Sequence, residues 1–150
     1  MKSRTKARAI ALQALYEYDL AGHMPGEVLV YRFKEEGTEP KIEKFTNEIV
    51  FGVFPLITEL DEVIAHYAPE WPLDQVASID RNIIRIAFWE FAIEKCTPIK
   101  VAINEAVELG KAYGSESTPR FVNGVLGSLV AKYDEYRGPL EKLISERGRE

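Results

Sequence analysis

PKIEKFTNEIVFGVFPLITELDEVIAHY, residues 40–67, decides the fold class. Its apolar residues Ile42, Phe45, Ile49, Val53, Leu56, Leu60 and Ile64 recur at spacings of three and four, which aligns them on one side of a helix. Pro55 falls inside this pattern and lacks an N–H to continue the hydrogen-bond ladder, so a kink is expected there. The same period extends outward in both directions. Towards the N-terminus, a short helix over about 26–36 is closed by Gly37, and a first helix capped by Ser3 carries Ala7, Ile10, Ala11, Ala14, Leu15 and Tyr18 before Gly22 ends it. Towards the C-terminus, APEWPLDQ (68–75) interrupts the pattern with two prolines and separates the halves, with Trp71 expected as a wedge between them and Leu73–Val76 as a single turn. Further stripes predict helices over about 78–95, 98–114 and 118–136, with Thr118 as cap and Pro119 as first helical residue. A short amphipathic piece, Leu140–Ile144, lies in the tail. Alternation of period two is scarce. The expectation is an all-α chain with no sheet: one domain of two packed three-helix-like bundles, about 3–70 and 73–136, and a tail over 137–150.

Composition narrows the function classes. A chain of 150 residues with 46% hydrophobic content is one globular domain of ordinary size. No apolar run approaches the roughly 20 residues of a membrane span, and the basic N-terminus is not followed by the unbroken apolar stretch of a secretory signal. Cys96 is the single cysteine, so no internal disulfide forms, which fits a reducing cytoplasm. His23 and His66 lack partners at metal-ligand spacing, Cys96 lacks a nucleophile motif, and YGSES is too short for a phosphate loop. No enzyme, metal or cofactor is therefore expected. Glu90 falls on the apolar stripe beside Ile83, Ile86 and Ala87; a buried carboxylate needs a partner, and a structural contact is the expectation.

Charge is more informative. Lys2, Arg4, Lys6 and Arg8 crowd the first eight residues without an acid; removing them from the net −5 leaves −9 on residues 9–150. A positive end on an acidic protein suits local capture of a polyanion. With the core stripe of the first helix as reference, Lys2, Lys6, Gln13 and Tyr16 project the opposite way, with Leu12 beside Tyr16, and Arg4 and Arg8 flank the stripe. An aromatic on that side suits a partner interface. A second candidate is KAYGSESTPRFVNGVL (111–126), where a helix ends and another begins across a polar loop. Arg120, Phe121 and Tyr113 beside a helix N-terminus combine charge and stacking surfaces suited to single-stranded RNA. Gly124, Gly127 and Ala131 make a small-residue face on which the C-terminal piece is expected to pack.

RTKARAIALQALYEYDL (4–20), IDRNIIRIAFWE (79–90), PIKVAINEAVELGKAYGSES (98–117) and RFVNGVL (120–126) together resemble the NusB family of bacterial transcription antitermination factors, in family order over about residues 3–130. The resemblance implies a two-bundle helical fold, binding of boxA-type single-stranded RNA from ribosomal RNA leaders, and a heterodimer with NusE, a small-subunit ribosomal protein. The pair would act on the RNA polymerase elongation complex. The family's basic RNA contacts fall on Arg4, Lys6 and Arg8, with Thr5 where a further arginine can occur. Its second RNA surface falls on Tyr113, Ser117, Arg120 and Phe121, with Ser117 replacing an acid of some members. NusE-facing positions fall on Tyr16 and Asp80. Lys2 and Gln13 complete the RNA-facing set from the surface reading. The basic arm and the 113–121 loop are expected to form one RNA surface. Exposed apolar residues fit either a monomer or a homodimer. Two rivals remain: an accessory RNA-binding subunit of an rRNA-modifying enzyme, since NusB-like domains occur fused to RNA methyltransferases, and a helical scaffold that binds protein only.

Overall fold

Every regular element among the described residues is helical, as the 3.6-residue period predicts. The computed structural model describes residues 2–69 and 75–147; Trp71 and the start of the expected 73–76 turn lie outside them. The helices are α1 (Ser3–Ala21), α2 (Pro25–Glu36), α3 (Pro40–Val53), α4 (Ile57–Tyr67), α5 (Ser78–Phe88), α6 (Ile99–Tyr113), α7 (Thr118–Ala131) and α8 (Tyr133–Arg147). Contacts divide the chain into two units, residues 1–55 and 56–150. The long stripe of residues 40–67 breaks at Pro55 through one 3₁₀ turn, Phe54–Leu56, where the proline ring cannot join the α-helical ladder.

In the first unit α1 packs on α3 and α2. Gly22 (φ 72°) and Gly37 (φ 59°) end α1 and α2 in the left-handed conformation that glycine adopts without steric cost. Thr46 Oγ1 donates to Ile42 O at 2.7 Å and approaches Ala7 O at 3.4 Å, while Tyr18 meets Phe54 edge to face at 4.7 Å. The two pairings, one near each end, make α1 and α3 parallel and bring their N-termini to the same end of the unit. Ser3 is not the cap of α1: Lys2 holds that position, and no side chain caps the helix. Nor is α1 amphipathic through its centre. Every residue from Ala7 to Leu15 except Gln13 is buried, including Leu12, placed by the single-stripe reading on the face away from the core. A helix buried all round has no outward side at that level.

In the second unit α5, α6 and α7 pack on one another, and α4 and α8 pack against them. Arg85 of α5 forks onto Asp61 of α4, with Nε donating to Oδ1 at 2.8 Å and an Nη donating to Oδ2 at 2.6 Å; its other Nη donates to Asn82 Oδ1 at 3.0 Å. The expected 78–95 helix instead widens at Trp89–Ile93 into a π turn and ends at Lys95, whose φ of 57° is left-handed. Glu90, in that turn, is buried and accepts from Thr97 Oγ1 at 2.7 Å, the structural contact its place on the stripe required. At the C-terminus α7 stops at Ala131, and α8 runs through Pro139 as one helix in place of a tail with a short piece. Tyr136 anchors it: the ring packs against Tyr67, Phe88 and Tyr133, and the hydroxyl donates to Leu129 O at 2.8 Å.

Candidate nucleic-acid interface

In the first unit the leading cations divide. Lys2 and Arg4 are exposed and Lys6 is half-buried. Arg8 is only 3% exposed, with its guanidinium 5.4 Å from the centre of the Phe45 ring. Arg4 lies over the same ring at 4.3 Å. A guanidinium against an aromatic face is held by cation–π attraction and dispersion. Arg8 is therefore a packing element of the α1–α3 seam and not a free cation. Gln13 is half-buried and accepts from Arg32 of α2 through Oε1, so this amide is already engaged. Tyr16 is half-buried, with part of its surface open to solvent.

In the second unit the α6–α7 hinge is built around Thr118, fully buried at the first position of α7. Thr118 Oγ1 donates to Asp80 Oδ1 at 2.8 Å and accepts from Ser115 N–H at 2.9 Å. Gly114 permits this: a Cβ there would lie 2.5 Å from Thr118 Cβ and 2.6 Å from its Cγ2. The backbone of Gly114 is extended (φ −93°), so the requirement is for space and not for an unusual conformation. Ser115 Oγ lies 3.2 Å from both Ser117 Oγ and Thr118 Oγ1, closing a hydroxyl cluster over the start of α7. Thr118 is thus the first helical residue and not the cap; Ser117 takes the cap position without a side-chain bond to the helix.

Around this hinge Asp80, Ser115, Ser117, Arg120 and Phe121, with Gln75–Ala77, line an open hollow of about 510 Å³. Arg120 is exposed and Phe121 half-buried. Tyr113 does not line the hollow; it ends α6 at 42% exposure. The structure therefore brings four of the expected residues, Asp80, Ser117, Arg120 and Phe121, to one concavity and leaves Tyr113 as a separate exposed ring. The hollow combines a cation, an aromatic edge and hydroxyls of both hydrogen-bond senses at the start of α7, a set that suits phosphate and base edges together. Gly114 and Thr118, which the sequence marked only as a helix end and a cap, build the hinge beside these residues; their four-residue spacing across the turn is the signal that could have found the contact. Gly124 and Gly127 do not face packed chain as expected: a Cβ at either would meet nothing within 4 Å. Nothing in the structure explains these two glycines.

Among the described residues no cluster of His, Cys, Asp or Glu is grouped to hold a metal, and no helix is long and apolar enough to cross a membrane. The NusB family model matches residues 5–131. The transcription antitermination protein NusB of Roseiflexus sp. (strain RS-1) is 47% identical over 136 residues, covering 89% of this chain and 96% of that protein. A crystal structure of the antitermination factors NusB and NusE in complex with double-stranded RNA superimposes with a TM-score of 0.77 at 28% identity, covering 91% of this chain and 99% of that one. The solution structure of NusB from Aquifex aeolicus gives a TM-score of 0.77 at 29% identity, covering 90% and 92%. A family match over most of the chain, a relative near half-identity and helical neighbours of the same extent agree: this chain belongs to the NusB family.

Proposed function

We propose that this chain is a non-enzymatic RNA-binding transcription antitermination factor. It binds boxA-type single-stranded RNA of ribosomal RNA leaders together with NusE and promotes processive transcription of ribosomal RNA through the RNA polymerase elongation complex. The observation that carries this reading is the α6–α7 hinge, where Ser117, Arg120 and Phe121 meet over a helix N-terminus. A NusB–NusE–RNA complex among the structural neighbours supports RNA and NusE as the ligand classes. The leading arm and the hinge each contact RNA: cations hold the backbone, while aromatic and polar side chains select bases that a single strand leaves unstacked. The acidic remainder disfavours indiscriminate RNA binding. Tyr16 and Asp80 face NusE, and through NusE the two ligands strengthen each other reciprocally.

Fluorescence anisotropy with a boxA-like RNA, with and without NusE, tests this. Lys2, Arg4, Lys6 and Arg120, one phosphate each, give a slope of log affinity against log salt of about −2.8, taking roughly −0.7 per phosphate for single strands. NusE should tighten binding, and Tyr16→Ala should weaken the NusE complex in titration calorimetry while leaving helicity unchanged. A flat salt response, or equal affinity for a scrambled strand or for the corresponding duplex, overturns the reading.

A further inference from the structure

The cationic surface of the first unit does not stop at α1. A second hollow, of about 220 Å³, is lined by Ser3 and Arg4 from the first turn of α1 and by Lys41, Lys44, Phe45 and Glu48 from α3. The parallel arrangement of α1 and α3 is what sets Lys41 and Lys44 beside Arg4, although some forty residues separate them. Both lysines are exposed and neither forms an ion pair with a described residue. Arg4 is itself exposed, while the ring beneath it is 5% exposed; Phe45 supports the guanidinium from one side only. A guanidinium seated over a ring and exposed to solvent can stack a base and bind a phosphate through its N–H groups. Glu48, one turn beyond Lys44 on α3, also lines the hollow and repels phosphate there, which favours a strand held by Arg4 and the two lysines.

We infer that Arg4, seated on Phe45, and Lys41 and Lys44 of α3 form a binding site for the sugar–phosphate backbone of single-stranded RNA, with Arg4 as a stacking platform for one base. This rests on the RNA-binding reading above and extends the RNA track from the leading arm across α3. Two added phosphate contacts steepen the salt slope by about 1.4, at roughly 0.7 per phosphate.

The test is a salt series of anisotropy titrations with the full chain and a boxA-like RNA, comparing wild type with Lys41→Ala/Lys44→Ala, with Lys142→Ala as a charge control on α8, and with Phe45→Leu. Circular dichroism first confirms unchanged helicity of the lysine variant, whose side chains are exposed. The double lysine variant should bind about 25-fold more weakly at 0.1 M salt, converge on wild type towards 1 M, and show a slope shallower by about 1.4. Phe45→Leu keeps the charge and loosens the platform, so affinity should fall roughly two- to fivefold with the slope unchanged. If wild type and the lysine variant titrate alike while wild type keeps its salt-dependent binding, the α3 site is refuted and the RNA-binding reading stands. If wild type itself shows no salt-dependent binding, both fall together. If Lys142→Ala loses as much slope as the lysine pair, the effect is one of net charge and the site is refuted.

Discussion

Gly114→Ala offers the sharpest test of how the α6–α7 hinge is held. The alanine backbone is allowed at φ −93°, so the whole cost is in packing. The new methyl would sit 2.5 Å from Thr118 Cβ and 2.6 Å from Cγ2, against roughly 3.5–4.0 Å for a comfortable carbon pair. Thr118 is fully buried and has little room to retreat. Overpacking of this kind costs about 1–3 kcal/mol. Displacing the hydroxyl also breaks its bond to the Asp80 carboxylate, about 1.5–3 kcal/mol for a hydrogen bond to a charged group. Together these predict a loss of roughly 3–5 kcal/mol, read as a lowered midpoint in urea denaturation with unchanged slope, or a melting temperature lower by about 10 °C. Thr118→Gly removes the clash, so adding Gly114→Ala in that background should cost less than about 0.5 kcal/mol. The double-mutant cycle should then give a coupling of at least about 2 kcal/mol. Additive losses, or a Gly114→Ala protein within about 0.5 kcal/mol of wild type, would refute the account of the hinge.

Three further outcomes follow from the packing. Arg85→Met leaves the Asp61 carboxylate without its fork and should cost about 3–5 kcal/mol by chemical denaturation, most of which Asp61→Leu/Arg85→Met should restore. Tyr136 is held well above its ordinary pKa of 10.0 by burial, so its proton is retained in the fold but released by the unfolded chain. Its stabilising contribution is complete below pH about 10 and declines as the pH rises further; Tyr136→Phe should flatten that alkaline decline in melting temperature while costing about 1 kcal/mol at neutral pH for the bond to Leu129 O. Arg8→Ala should lower stability by about 2 kcal/mol through the lost stack on Phe45, yet leave the salt slope of RNA binding unchanged, because this guanidinium is turned into the seam and not towards a phosphate.

Helix identity was legible because apolar spacing is a local property. The stripe from Ile42 to Ile64, the breaks at Gly22, Gly37 and Pro55, and the start of α6 after Pro98 can each be read within a dozen residues. Features set by packing at a distance were not. The end of α7 carries no glycine or proline, and what reorganises the chain there is the insertion of Tyr136 among rings from α4 and α5. The π turn at Trp89–Ile93 likewise lacks a local mark. Leu12 was misplaced because a helical wheel presumes one buried side, whereas α1 is covered all round at this level, and Arg8, flanking the stripe, is buried with it. In the candidate site the residue types were readable at Ser117, Arg120 and Phe121, but the Thr118–Asp80 bond spans 38 residues and only the fold reveals it.

That bond also changes how a substitution at Asp80 must be interpreted. Asp80 lines the hinge hollow and at the same time accepts the hydroxyl proton that seats Thr118 against Gly114. A lysine at this position would place a cation where the threonine needs an acceptor, so the start of α7 would loosen whether or not NusE ever touches the side chain. Weakened NusE binding by such a variant is therefore ambiguous between an interface and a hinge. Asp80→Asn retains an oxygen acceptor for Thr118 and removes only the charge. A contact that needs the charge is lost in both variants, whereas a lesion of the hinge spares the asparagine. Because the same hinge carries Ser117, Arg120 and Phe121, a loosened α7 would disturb RNA and NusE binding in parallel, and an interface contact alone would disturb only NusE binding when RNA is absent.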